Sequence, residues 1–292
     1  MKIHPILTFT VCLACAALTS AASSVDQPLG LSSERAPVAF TMPGAVQYDF
    51  TARTNRLPYR VMVWAPADAK TRAYPVIYLL DGNTWFPGAA AEGWHFNNAI
   101  IVGIGVPTEQ VAEWRRRRVL DLTPTEDRDH AQSQTGGGIA FAKVLLEEIK
   151  PFIESVYKIE PGQRTLYGLS LGGLMTTHVM FTQPEAFDTY VICSPILGWS
   201  DGAVLKAEPA FTARARAGGF KLRVLVTAAG DESKPVIDGA AALANRLKQL
   251  PKSAVDAHYV LFENETHGSV SLATIGRALT FALSKSDAPK KP

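Results

Sequence analysis

The stretch that decides the fold is "RTLYGLSLGG", residues 164–173, in which an apolar run leads to a serine between glycines. Its core, "GLSLG", fits the pattern G-x-S-x-G with Ser170 at the centre. In that pattern a strand ends in a sharp turn that carries a nucleophilic serine, and a helix begins directly after it. The chain has 22 glycines, so chance could also produce the pattern. The flanking residues must therefore supply the strand, the helix and the catalytic partners.

The rest of the chain alternates between strand-like and helical segments. Residues 46–52 and 59–66 alternate apolar and polar side chains, which is typical of half-exposed antiparallel strands. Six further runs, including residues 164–170, are almost continuously apolar, as in strands buried on both faces. Helical spacing follows Ser170 and the last two of these runs. We therefore predict an α/β fold over residues 46–284, with an eight-stranded, mostly parallel sheet and helices on both faces.

A serine hydroxyl needs a base, and His267 is the best placed of the six histidines. It follows the last predicted strand and precedes the C-terminal helix, which puts its ring at the same sheet edge as Ser170. An acid that orients this histidine is expected between residues 170 and 267. Asp231 and Glu232 both follow a predicted strand there; we favour Asp231, with Glu232 as the alternative and a Ser–His pair without an acid also open.

Two N–H groups should stabilise the negative oxygen that forms during acyl transfer. One is the backbone N–H of Leu171, next to the nucleophile. The other is expected in the loop after an earlier buried strand, "YLLDGNTWF", where Asn83 or Thr84 would be the donor.

The N-terminus differs from the rest of the chain. A lysine, a short apolar run and small residues ("ILTFTVCLACAAL", then "TSAASS") predict a signal peptide over residues 1–22 and a periplasmic or secreted protein. Residues 23–45 are predicted to be a flexible lead-in and residues 285–292 a disordered tail. Removal of the signal leaves Cys193 as the sole cysteine, so no internal disulfide is expected.

The composition of the chain limits the classes of binding partner that we expect. The 292 residues carry a net charge of +2, which gives no reason to expect nucleic acid. Neither a zinc-type ligand cluster nor a phosphate-binding loop is evident in the sequence, so we expect no cofactor and no metal. A small-molecule ester is the expected partner, while the oligomeric state is left open.

Several motifs together resemble the esterase D branch of the α/β-hydrolases, and in particular its siderophore-esterase-like members. They are "YPVIYLLDG", "DLTPT", "PFIESVY", "RTLYGLSLGG", "SPILGW" and "THG". The resemblance implies an α/β-hydrolase fold and hydrolysis of ester bonds, either of ferric triscatecholate trilactones or of feruloyl, acetyl or other small acyl esters. Relatives often carry "GELE" where this chain has "GDES", residues 230–233. A non-catalytic binding module of the same fold is the alternative from another class.

Substrate contacts are expected from aromatic and cationic side chains. The tryptophans at 85, 94, 114 and 199 are all predicted in loops at the strand ends, and Trp85 and Trp199 are the chosen candidates for the pocket wall. Arg116 represents the run Arg115–Arg118. Most of this run is expected to form a solvated face, and the alternative is that one or two members reach the pocket and hold an anionic or catecholate-bearing substrate.

Overall fold

The computed structural model describes residues 41–127 and 134–284. The predicted signal peptide, most of the predicted lead-in and the predicted tail lie outside these residues. Among the residues described, no helix is both long enough and apolar enough to cross a membrane.

Eight strands form one mixed sheet in the order β1-β2-β4-β3-β5-β6-β7-β8. β2 runs antiparallel to both of its neighbours, and every other pairing is parallel. The prediction of an eight-stranded, mostly parallel sheet is therefore confirmed. The strands are β1 (Ala45–Thr51), β2 (Pro58–Trp64), β3 (Tyr74–Leu79), β4 (Ile100–Gly105), β5 (Ile159–Leu169), β6 (Thr189–Cys193), β7 (Leu222–Asp231) and β8 (Val255–Thr266).

Helices cover both faces of the sheet. The α-helices of the described residues are α1 (Gly82–Phe96), α2 (Val111–Asp121), α3 (Gly138–Lys143), α4 (Lys150–Val156), α5 (Leu171–Thr182), α6 (Trp199–Gly202), α7 (Glu208–Arg216), α8 (Lys234–Lys248) and α9 (Val270–Leu283). A π-helical segment, Val144–Ile149, joins α3 to α4. The buried residues of α1 and α9 form one core with one face of the sheet, and those of α3, α4, α5, α7 and α8 form a second core with the other face.

Side chains alternate along the central strands, so each strand contributes residues to both cores. In β3, Val76 and Tyr78 belong to the larger core, whereas Ile77 and Leu79 belong to the core under α1 and α9. All four are at most 2% exposed. Full burial of such side chains stabilises a fold by roughly 1.5–3 kcal/mol each, which explains why β3 consists of apolar and aromatic residues. The sheet thereby forms a rigid platform for the residues at its carboxyl edge.

The tryptophan positions differ from the prediction, because helices occupy the segments predicted as loops. Trp85 and Trp94 lie on α1, Trp114 lies on α2, and Trp199 begins the short α6. Helix α1 is not evident from the sequence because it contains Pro87 and three glycines and has little amphipathic pattern. Helix α2 is not evident either, because it is strongly polar and lacks an apolar face at helical spacing.

Candidate active site

Ser170 lies in the sharp turn between β5 and α5. Its backbone has φ 61° and ψ −116°, a conformation that an ordinary L-residue adopts only under strain, typically at a cost of about 1–3 kcal/mol. Two hydrogen bonds hold the turn: the Ser170 N–H donates to Cys193 O at 2.9 Å, and Ser170 O accepts from the Leu174 N–H at 2.9 Å. The serine is 8% exposed at the first turn of the helix. This is the geometry that G-x-S-x-G predicts.

Glycines allow this turn to close. A Cβ at position 168 would lie 2.1 Å from Gly172 O, so β5 could not approach α5 with any larger residue there. Gly172 is less constrained, because a Cβ there would meet nothing closer than 3.4 Å. Gly173 is tighter, because a Cβ there would lie 2.7 Å from Cys193 O. The backbone at the end of β6 therefore passes against Gly173, the residue directly after the G-x-S-x-G core.

His267 and Glu232 are brought together by the pairing of the last two strands. The register of β7 and β8 sets Asp231 opposite Thr266, so the residues that follow each strand emerge side by side. His267 Nδ1 contacts Glu232 Oε1 directly in a hydrogen-bonded ion-pair geometry. The ring is 46% exposed, whereas the Glu232 side chain is only 2% exposed. A buried carboxylate thus orients a histidine that remains open to solvent.

The contact expected of Asp231 is made by Glu232. Asp231 is the last residue of β7 and is exposed. Because side chains alternate along a strand, neighbours at a strand end point in opposite directions, and only one of the two can face the histidine. A register break between Ala229 and Asp231 precedes this point. The sequence could not show which residue would face inward, since both follow the same strand.

Glu232 is held by two further donors. The Ser194 hydroxyl donates to Glu232 Oε2 at 2.9 Å, and the Ala229 N–H donates to the same oxygen at 3.1 Å. Ser194 is fully buried and has φ 41°, so its backbone is also strained. These two hydrogen bonds fix the direction of the buried carboxylate. Ser194 begins the motif "SPILGW", but no local sequence pattern predicts its contact with Glu232.

The predicted oxyanion donors occupy the first turns of two helices. Leu171 is the first residue of α5 and Asn83 is the second of α1, positions whose N–H groups have no partner within their own helix. The Thr84 N–H donates to Asp81 O at 2.9 Å, which leaves Asn83 as the better candidate. The Asn83 side chain is occupied: its amide donates to Val106 O and its carbonyl accepts from the Val106 N–H. The backbone N–H of Asn83 is therefore the relevant group.

The predicted substrate contacts lie in different environments. Trp85 is partly buried near the start of α1, and Trp114 lines the cleft between α1 and α2 together with Asn83 and Thr108. Trp199 is only 7% exposed, and its indole N–H donates to Thr125 O at 3.0 Å, so its ring offers little free surface. Arg116 is exposed, 3.5 Å from Gln134 Oε1.

Within residues 41–127 and 134–284, no cluster of three or more His, Cys, Asp or Glu side chains is arranged to hold a metal ion. The Ser170 hydroxyl makes no hydrogen bond to His267 within the same residues. Such catalytic contacts are often long before substrate binds and tighten in the reacting complex. The site as it stands combines a serine on a strained turn, a histidine fixed by a buried carboxylate, and two helix starts whose N–H groups have no partner within their own helix. This combination is suited to acyl transfer.

Comparison with known proteins agrees with this chemistry. A family model described as "Putative esterase" matches residues 52–268. The chain is 31% identical to the ferri-bacillibactin esterase BesA of Bacillus subtilis, over 84% of this chain and 91% of that protein. It is 30% identical to a siderophore triacetylfusarinine C esterase of Aspergillus fumigatus, over 60% of this chain and 63% of that protein.

A solved structure extends the likeness to the fold. The BES protein from Bacillus cereus superposes with a TM-score of 0.76 at 29% identity, covering 85% of this chain and 99% of that one. Residues 52–268, which the family model matches, include Ser170, Glu232 and His267. The chain belongs to the Esterase family of the α/β-hydrolases and is an ester-hydrolysing enzyme.

Proposed function

We propose that the chain is an exported serine esterase that uses Ser170, His267 and Glu232 to hydrolyse the ester bonds of siderophore trilactones. The observation that carries the catalytic part is the contact between His267 Nδ1 and the buried Glu232 carboxylate, at the sheet edge where Ser170 sits on its strained turn. The siderophore part is supported by the named activities of the relatives and by the cleft beside Asn83.

In the proposed mechanism, Ser170 Oγ attacks the ester carbonyl while His267 Nε2 takes the hydroxyl proton. Glu232 keeps Nδ1 protonated and stabilises the imidazolium that forms. The backbone N–H groups of Leu171 and Asn83 hold the negative oxygen of the tetrahedral intermediate. His267 then returns the proton to the leaving alcohol, and an acyl-enzyme remains on Ser170.

Water completes the cycle. His267 removes a proton from a water molecule, the resulting hydroxide attacks the acyl carbonyl, and Ser170 leaves with the proton that His267 gives back. The products are the free acid and the regenerated serine. Every step uses groups that this chain supplies.

Trp114 and Asn83 lie at the opening of the cleft in which we place the substrate. Trp85 and Arg116 are further proposed contacts, on the same two helices, α1 and α2. Aromatic rings and a guanidinium suit catecholate groups, which are flat and carry negative charge when bound to iron. Export is proposed from the sequence of residues 1–22 alone.

A hydrolysis panel tests the substrate. Wild type and Ser170→Ala would be given a ferric trilactone siderophore, its iron-free form, a feruloyl ester and a short p-nitrophenyl ester. We expect the trilactone to have the highest kcat/KM and Ser170→Ala to be inactive on every substrate. Turnover of p-nitrophenyl or feruloyl esters alone would overturn the siderophore assignment, and an active Ser170→Ala would overturn the mechanism. Sequencing the N-terminus of the exported protein tests the signal.

A further inference from the structure

Arg118 on α2 contacts the ends of two different strands. Its Nε donates to Asp81 Oδ1 at 2.7 Å, and its Nη2 donates to Leu169 O at 3.3 Å. Asp81 lies in the turn between β3 and α1, and Leu169 is the last residue of β5. Each contact lies close before a proposed oxyanion donor, since Asn83 follows Asp81 by two residues and Leu171 follows Leu169 by two. One guanidinium therefore joins both halves of the proposed oxyanion site.

Asp81 is unusual in its backbone and its burial. Its φ of 56° and ψ of 40° put a non-glycine residue in the left-handed region, and its side chain is 2% exposed. Such a conformation persists only where surrounding contacts hold it. The ion pair with Arg118 is such a contact, and the 18% exposure of the Arg118 side chain means that solvent screens it only in part. Arg118 thus helps to hold the turn at which α1 begins.

The second oxygen of Asp81 faces the nucleophile turn. Asp81 Oδ2 has no hydrogen-bond partner among the described residues, and it would lie 3.4 Å from a Cβ placed on Gly172. Burial raises the pKa of this carboxyl, and the neighbouring guanidinium opposes that rise. A negative charge here, beside the first turn of α5, would repel the negative oxygen that forms on the substrate. The Arg118 guanidinium, 2.7 Å from the other oxygen, places a positive charge that offsets this repulsion.

We propose that Arg118 is a positioning residue for the oxyanion site. It fixes the strand ends that present the N–H groups of Leu171 and Asn83, and it compensates the charge of Asp81 beside them. The inference rests on the proposed function, because it presupposes acyl transfer at Ser170. Arg118 acts through these neighbours and is not assigned a contact with substrate.

The neighbouring pair on α2 provides a matched control. Arg117 Nη2 lies 2.9 Å from Asp121 Oδ2, both side chains are at most 7% exposed, and the guanidinium lies over the ring of Tyr59. This pair resembles Arg118–Asp81 in charge and burial. It makes no hydrogen bond to Asp81 or Leu169, the residues that precede the two proposed oxyanion donors. Loss of Arg117 should therefore cost stability and leave the rate of each folded active site unchanged.

The experiment compares Arg118→Met, Arg118→Lys, the double variant Arg118→Met/Asp81→Asn, and Arg117→Met. Hydrolysis of a short p-nitrophenyl ester gives kcat and KM, fluorophosphonate titration counts the competent sites, and circular dichroism checks folding. We expect Arg118→Met to lower kcat per site by roughly 30–100-fold, somewhat less than loss of an oxyanion donor, with KM changed less than about threefold. The double variant should regain part of that loss, because the unpaired carboxylate is gone.

Arg118→Lys keeps the positive charge, but a single ammonium group cannot reproduce the two guanidinium contacts with Asp81 and Leu169. Its kcat should therefore fall by roughly tenfold. If Arg118→Met does not fold, the kcat of Arg118→Lys tests the positioning role instead. A kcat per site equal to that of Arg117→Met, for either Arg118 variant, would overturn the inference. The substrate is not a siderophore, so failure of the trilactone assignment leaves this test intact. If Ser170→Ala abolishes turnover while Arg118 variants keep the full rate, the positioning role alone is wrong; turnover by Ser170→Ala would overturn both proposals.

Discussion

Ser194 and Glu232 share a hydrogen bond of 2.9 Å between two buried side chains, and the other oxygen of that carboxylate contacts His267. The serine follows β6, the acid follows β7, and the histidine follows β8. Three neighbouring strands are thus linked through one carboxylate. The acid–histidine pair is positioned by the sheet and not by a flexible loop.

Glu232 and Asp231 provide a direct test of which acid acts. We expect Glu232→Gln to lower kcat/KM by about 10²–10⁴-fold, since a neutral amide neither fixes the histidine tautomer nor stabilises the imidazolium. Asp231→Asn, an exposed neighbour, should stay within about threefold of wild type, because it does not face the ring. Steady-state kinetics on one ester measure both. The reverse order of effects would assign the role to Asp231.

Ser194→Ala should weaken the acid without removing it. The substitution leaves one donor, the Ala229 N–H, on Glu232 Oε2, and we expect kcat to fall by roughly fivefold to twentyfold with KM nearly unchanged. Ser194→Gly should lose the same hydrogen bond but relieve the strain at φ 41°. It should therefore be the more stable of the two in denaturant unfolding while showing the same loss of kcat. Equal kcat for wild type and both variants would exclude a role for this hydroxyl.

Two glycines in contrasting sites test the packing under the nucleophile. In Gly168→Ala the new Cβ would meet Gly172 O at 2.1 Å, and we expect a loss of about 3 kcal/mol or more in the free energy of unfolding. In Gly276→Ala, within α9, the Cβ meets no atom within 4 Å, and we expect a gain of roughly 0.5–1 kcal/mol from helix propensity. Urea unfolding of both measures the difference. A stable, fully active Gly168→Ala would contradict the close approach of β5 and α5.

His178 on α5 predicts a pH dependence of stability. Burial lowers the pKa of this imidazole below its usual value of 6.5. The unfolded chain therefore binds a proton more readily, so His178 favours the folded state above pH 6.5 and this contribution is lost as pH falls through the lower, folded-state pKa. In His178→Gln the free energy of unfolding should decline less steeply below pH 6.5 than in wild type. Parallel pH profiles for the two proteins would show that His178 makes no such contribution.

The sequence predicted most of the fold because each signal was local. Alternating apolar and polar residues identified two strands, apolar runs identified the other six, and glycines around Ser170 identified the turn. Of the helices that were not predicted, α1 contains Pro87 and glycines, and α2 is mostly charged. Their existence depends on what they pack against, which no short stretch of sequence records.

By itself, the sequence determined that a serine would stand on a turn between a strand and a helix, with a histidine after the last strand. Only the tertiary structure decided that Glu232 and not Asp231 meets that histidine, and that Arg118 bridges Asp81 and Leu169. The physical reason is that strand pairing and side-chain alternation select which of two adjacent residues points inward. Contacts between residues 37 and 51 positions apart arise when the sheet brings separate strand ends to one edge.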